Sequence, residues 1–247
     1  MTFKMFRIKM ALLEMKNVSF YDDLTSVVHD TSLSIEKGSV TALLGEPGGG
    51  KSTVLKLLAG IMIPSSGTVY AEGKDYTRMS TKENLAFRKK SAFMFQNSAL
   101  WANQSLYQNL ELPLKIHFPK LPPEQIKQKI EDAAKLVEFT KPLSLRPAAL
   151  STGEQKRIAF ARALICEPEI LFLDEPTESL NENTAELFLS ILKEFNDKGN
   201  TLIYVSHDYN FINTFKNDKY YFANGTIVDK ILLNDTGQDE YEDYNEI

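Results

Sequence analysis

The chain has 247 residues, 43% of them hydrophobic and 25% charged, which is enough for one large α/β domain with a full core. Its formal net charge of -5 argues against a general nucleic-acid binder, and no nucleic-acid partner is expected. No apolar run approaches the roughly 18–20 residues that cross a bilayer, and residues 1–10 mix Lys4, Arg7 and Lys9 among single apolar residues without a signal-peptide core.

In chain order, residues 12–20 and 26–35 cluster or alternate β-branched and apolar residues and predict strands. Glu36-Lys37-Gly38 then turns the chain into a buried strand, 39–44, that ends at Gly45. From Lys51 to Leu58 the pattern becomes helical. A mainly helical stretch at about 97–165 interrupts the core. Within it, Pro123 opens an amphipathic helix over 123–139 with Ile126, Ile130, Ala133 and Val137 on one face. A second helix covers about 152–165, with Ile158, Ala161 and Ile165 facing inward. Residues 169–173 (EILFL) form a nearly continuous apolar run, as expected of a parallel strand covered on both faces, and 201–206 (TLIYVS) repeat that character. Asn224-Gly225 predicts a hairpin turn within 220–228. Cys166 is the one cysteine, so no internal disulfide framework exists; it fits a reducing compartment and an inert core thiol.

These elements predict an α/β fold with an N-terminal antiparallel β subdomain and a helical subdomain inserted at about 97–165. A single domain over 1–234 is expected. The tail 235–247 is acidic without a basic residue and is expected to be solvated and mobile, with a docking segment as the alternative.

Gly45-Glu46-Pro47-Gly48-Gly49-Gly50-Lys51-Ser52 satisfies the phosphate-loop pattern G-x-x-x-x-G-K-[ST], with Thr53 following, a strand before it and a helix after it. Glycines let successive N–H groups curl toward phosphate oxygens, and the following helix adds its positive end. Lys51 is a flexible cation suited to the outer phosphates, and the Ser52 hydroxyl is a Mg²⁺ ligand. Asp174-Glu175 follow the apolar strand directly, where charge against a low-dielectric core needs a use. Asp174 is the second metal-site residue and Glu175 the base that orients the attacking water. Two acids capping the next helix are the bland alternative.

Leu150-Ser151-Thr152-Gly153-Glu154-Gln155 narrows the choice, because it resembles the signature of ABC ATPases. The resemblance covers nearly the whole chain in the family's order. It implies a P-loop NTPase core of ABC ATPase type that binds ATP and Mg²⁺ and hydrolyses ATP. Ser151, Gly153 and Glu154 are then nucleotide-binding residues facing a phosphate held by a second ATPase subunit, most simply a second copy. Gln96 stands in the Q-loop position as a metal-site residue, 178–181 resembles the D-loop, and His207 resembles the catalytic switch histidine. Tyr21 resembles the aromatic that stacks on adenine, with Phe20 as the rival. Ser151 and Glu154 also form an S-x-x-E capping box, so a helix start is a compatible second reading. Three residues depart from the family pattern: Pro47 in the phosphate loop, Thr152 for the first signature glycine, and Asn181 for the D-loop aspartate. They predict preserved nucleotide binding with slow hydrolysis.

Residues 94–121 are similar to the Q-loop region of Mla/MCE-type phospholipid transport ATPases, which implies phospholipid as cargo. Trp101 and Phe118 would then pack on a permease helix or fill the local core. The alternatives are a lipoprotein-release or cell-division-type ABC ATPase, a soluble ABC protein, and a binding module without catalysis. The resemblance implies integral-membrane permease subunits as partners and a cytoplasmic location, peripheral on the inner face of the membrane.

Overall fold

A computed structural model describes residues 11–23, 25–233 and 239–242. The expectation for residues 1–10 lies outside these, as does most of the acidic tail. Strands β1 (Leu13–Asp22) and β2 (Thr25–Ile35) pair antiparallel from Leu13 opposite Ile35 to Asp22 opposite Thr25. The register slips between Met15 and Val18, so both side chains still point into the core although three positions separate them. The chain continues through β3 (Val40–Gly45) and α1 (Lys51–Leu58) to the hairpin of β4 (Ser66–Ala71) and β5 (Lys74–Asp75). Next come α2 (Thr81–Lys90), begun by a Ser80/Glu83 capping box, and β6 (Ser91–Met94). Helices α3 (Leu106–His117), α4 (Pro123–Leu136) and α5 (Thr152–Leu164) precede β7 (Ile170–Asp174). The last elements are α6 (Glu182–Asp197), β8 (Thr201–Val205), α7 (Tyr209–Thr214), β9 (Asp218–Ala223), β10 (Thr226–Leu233) and β11 (Asp239–Glu242).

The fold is α/β, with a four-stranded antiparallel sheet ordered β2-β1-β4-β5 beside a seven-stranded sheet ordered β11-β10-β9-β3-β8-β7-β6. Strands β9, β3, β8, β7 and β6 run parallel, and β10 and β11 extend that sheet antiparallel. Period-two alternation splits the central strands between two cores. Leu171 and Leu173 of β7 face the layer of α3 to α7, while Ile170 and Phe172 face α1 and the four-stranded sheet. Phe160 of α5 stacks on Phe188 of α6, ring centroids 4.1 Å apart, which fixes the helical layer on the sheet. The parallel neighbours β6 and β7 are separated in sequence by three helices, so the crossover itself carries the helical bulk of the molecule.

Several boundaries differ from the sequence reading. α4 ends at Leu136 because Glu138 takes a left-handed conformation (φ 52°), yet Val137 stays buried as its C-cap. Ile165 likewise caps α5 from outside and remains in the core. Residues 239–242 pair antiparallel with β10, Leu233 opposite Asp239. The 224–225 turn has positive φ at both residues, 48° and 78°, as a tight hairpin turn between twisted strands demands. Phe118 packs against the helical core with the Lys89 ammonium over its ring, whereas Trp101 is half exposed. Burial pushes the Cys166 thiol up to about 11, which fits an inert thiol. Among the described residues, no helix is long and apolar enough to cross a membrane.

Candidate nucleotide site

The phosphate loop begins where β3 runs out against β9. Gly45 has φ 125°, and a Cβ there would lie 2.0 Å from the Phe222 carbonyl oxygen, so no other residue fits. Gly50, at φ 85°, is equally constrained by the Val27 carbonyl oxygen, 2.6 Å from where its Cβ would be. α1 then starts without a side-chain cap and without an acidic residue in its first turn. Its first N–H groups are thus left for an anion, and the helix dipole favours one. Lys51 is buried, and its ammonium donates to the carbonyls of Gly45 and Glu46 at 2.8 and 2.6 Å. The lysine therefore braces the loop from inside. Desolvation lowers its pKa, and the nearby Glu175 and Asp174 carboxylates partly restore it.

β7 delivers the acids to this loop. Asp174 is only 3% exposed and accepts a 2.8 Å hydrogen bond from the Ser52 hydroxyl, which joins strand end to helix start. Glu175 adopts a left-handed backbone, φ 48°, and its N–H donates to the Val205 carbonyl. Its carboxylate accepts from the His207 N–H at 3.2 Å and stands 3.4 Å from His207 Nε2. Burial raises the Glu175 pKa, with His207 pulling it back. Gln96 donates from Nε2 to Glu178 Oε2 at 3.1 Å, which leaves its amide oxygen as the group able to ligate. Gly48, Gly49, Gly50, Lys51, Ser52, Thr53, Gln96, Glu175 and His207 line one cavity of about 580 Å³ together with Pro47, Glu178 and Asp208.

Tyr21 is not part of that wall. It is 50% exposed beyond the register slip at the end of β1, and Val27 of β2 lines the cavity instead. Phe20, the rival, is half-buried against the core of the four-stranded sheet.

Ser151, Gly153 and Glu154 line a second cavity, about 810 Å³, with Thr152, Ser179 and Asn181. The two cavities share no lining residue. Here the capping box is real: Ser151 Oγ accepts from the Glu154 N–H, and Glu154 accepts from the Ser151 N–H. The Lys141 ammonium sits 2.7 Å from the Glu154 carboxylate, and these bonds lower the Glu154 pKa. Asn181 caps α6 by accepting from the Thr184 N–H at 2.9 Å.

Three residues near the acids had no role of their own in the sequence reading, Glu178 entering it only within the 178–181 resemblance. Lys156 donates to the Glu175 carbonyl at 2.7 Å, Glu178 bonds Gln96, and Thr177 donates to Asp208. The first left a signal, a lysine on the same helical stripe as Ala159, Phe160 and Ala163.

Phosphate loop, buried acidic strand end and parallel sheet together define a P-loop nucleotide-binding α/β protein. Residues 28–178 match the model of the family described as ABC transporter, and the chain belongs to that family. It is 34% identical over 209 residues to the methionine import ATP-binding protein MetN of Carboxydothermus hydrogenoformans, covering 84% of this chain and 61% of the relative. The chain thus spans about three-fifths of the length of such relatives. It is 35% identical over 184 residues to the ABC transporter ATP-binding protein YtrE of Bacillus subtilis, covering 74% of this chain and 79% of the relative. Among solved structures, the ATP-binding cassette MJ0796, a dimer in a post-hydrolysis state with ADP and Pi, superposes with a TM-score of 0.82 at 27% identity. That match covers 88% of this chain and 97% of the other. cbiO1 of Clostridium perfringens, part of the transporter complex cbiONQ, gives 0.72 at 28% identity, covering 89% of this chain and 88% of that one.

Proposed function

We propose that the chain is the ATP-binding and ATP-hydrolysing subunit of an ABC transporter, working as a pair of copies on integral-membrane partners. The observation that carries this is the 2.8 Å bond from Ser52 to Asp174, beneath the cavity that Ser52 lines with Glu175 and His207. The loop N–H groups and Lys51 bind phosphates, Asp174 and Ser52 fix the metal end, and Glu175 takes a proton from water aligned on the terminal phosphate. Its raised pKa suits that task, because a base with a pKa nearer neutrality holds the proton better. His207 sits where it keeps the Glu175 carboxylate oriented.

Ser52, Asp174 and the amide oxygen of Gln96 fit Mg²⁺, since all are hard oxygen donors and two already touch. Among the described residues no group of three His, Cys, Asp or Glu side chains could hold a metal, so phosphate oxygens and water would complete the shell. Bound there, Mg²⁺ neutralises charge on the phosphates.

The separation of the two cavities supports pairing: Ser151, Gly153 and Glu154 would face a phosphate held by another copy. The dimeric state recorded for MJ0796 and the complex recorded for cbiO1 support this arrangement and a peripheral position under a permease. The similarity to methionine import ATP-binding proteins favours an importer of small molecules such as methionine. The phospholipid reading keeps only the 94–121 resemblance in its support and is the second choice. Glu175→Gln should hold the pair closed: in ATP and Mg²⁺, size exclusion is expected to give a dimer with phosphate release abolished. A persistent monomer would count against pairing, and undiminished phosphate release against the assignment of the base.

A further inference from the structure

Lys156 is 1% exposed, on a helix face where a leucine or methionine would pack without desolvating a charge. Desolvation lowers its pKa, and the opposing pull comes from Glu178, Glu175 and Asp174. A buried ammonium persists only where its partners hold it, and these partners are all at the catalytic turn. Its Nζ donates to the Glu175 carbonyl at 2.7 Å and lies 3.7 Å from Glu178 Oε2. That carbonyl belongs to a residue in the left-handed conformation, which is unfavourable for any residue with a side chain and is helped by anchors. The N–H of the same residue is tied to Val205, and its carboxylate to His207. Lys156 supplies the third anchor.

Glu178 adds a link outward. The same oxygen, Oε2, accepts from Gln96 Nε2 at 3.1 Å and faces Lys156. If Gln96 turns away to reach a metal ion, that oxygen loses a hydrogen-bond donor, and Lys156, its cationic partner throughout, is drawn toward it and away from the carbonyl it braces. Both movements act on the backbone that aims the Glu175 carboxylate.

We propose that Lys156 is a positioning residue for Glu175, and that Glu178 connects it to Gln96, so that the loop after β6 and the start of α5 govern the aim of one carboxylate. The inference rests on the hydrolysis reading above. It assigns Lys156 no contact with nucleotide.

Phosphate release by the purified chain in ATP and Mg²⁺ tests it, with KM and kcat determined separately. Lys156→Met is expected to lower kcat by about tenfold to a hundredfold, the scale for a misplaced catalytic group, while KM stays within about threefold. Lys156→Arg keeps the charge and should recover part of the loss. Glu178→Gln, at a half-exposed position, should lower kcat by a smaller factor, about threefold to tenfold, again with KM kept. A folded Lys156→Met protein with wild-type kcat overturns the proposal. So does parallel loss of kcat, ATP affinity and thermal stability without recovery by arginine, which is the mark of a purely structural lysine. Should Lys156→Met fail to fold, Glu178→Gln decides, and wild-type turnover there overturns the link. An inert wild-type chain removes the hydrolysis reading and this one with it, whereas an active wild type with unaffected variants removes only this one.

Discussion

At the phosphate loop the helix that follows starts without a side-chain cap, whereas at the start of α5 a capping box closes the helix end. The N–H groups before α1 have no cap, and Lys51 bonds only to carbonyls of its own loop. At Ser151 the hydroxyl, the N–H and the Glu154 carboxylate close a ring, with Lys141 on the outside. The first cavity therefore has donors waiting for an anion, and a triphosphate can stabilise it directly. The second is stable as it stands and offers a ready-made face to something the chain does not itself hold. One region binds, and the other completes.

Lys51→Ala should break this division most sharply. Removing a buried, hydrogen-bonded cation from a phosphate site costs about 2–5 kcal/mol of binding, so nucleotide affinity of the single subunit should fall about thirtyfold or more. Equilibrium titration with a fluorescent nucleotide reads this, and a change under about threefold would remove the loop as the main site. Ser151→Ala should leave the same titration unchanged. Its cost is the lost cap, about 1 kcal/mol. For a domain of this size that is a melting point lower by about 2–4 °C. Phosphate release, which on the proposed pairing needs the other copy, should fall while monomer binding holds. If binding and melting drop together, the second cavity belongs to the first after all.

How much of this contrast was legible in the sequence depends on how local each device is. The phosphate loop and the acid pair are contiguous runs whose residue types have one chemical use together, and the structure joins Ser52 to Asp174. The capping box was legible for the same reason. The direction in which Tyr21 points was not, because strand register decides it. β1 slips between Val18 and Phe20 and again between Phe20 and Tyr21, and such a slip moves side chains from one face to the other. Nor was the group Gln96, Glu178 and Lys156 legible, since it joins three segments that only the fold brings together. The helix α2 and the β4–β5 hairpin escaped because capping and short-range pairing, rather than long apolar periodicity, define them, whereas α6 carries a stripe of Thr184, Phe188, Leu192 and Phe195 that was there to be read.

A smaller effect separates the regions by pH. Glu175 lies in the first cavity with its pKa raised by burial, so hydrolysis should fall on the acid side through a pKa above the usual carboxylate range. Ser151→Ala should not move that limb. The same shift acts on stability with a definite sign. A carboxyl whose folded pKa is raised makes the fold less stable once it ionises, so stability is gained as pH falls through that pKa. Glu175→Gln removes the penalty. It should melt above the wild type at neutral pH, with the gap closing in acid, and thermal melts at both pH values read this.

The smallest expected effect concerns Thr152, which stands exposed at the first helical position of α5, in the second cavity. Its β-branched side chain occupies space where the family's usual glycine would let another copy's phosphate approach the helix start. The cap itself does not depend on it, because Ser151 and Glu154 bond each other. Thr152→Gly should therefore leave monomer nucleotide binding untouched, cost little stability at an exposed helix end, and raise turnover by about twofold to fivefold, under about 1 kcal/mol of barrier. Adding Asn181→Asp restores a charge on the same wall and should raise it further. If turnover instead falls with Thr152→Gly, the hydroxyl is a contact made across the pair, and the second cavity contributes a donor as well as an open surface.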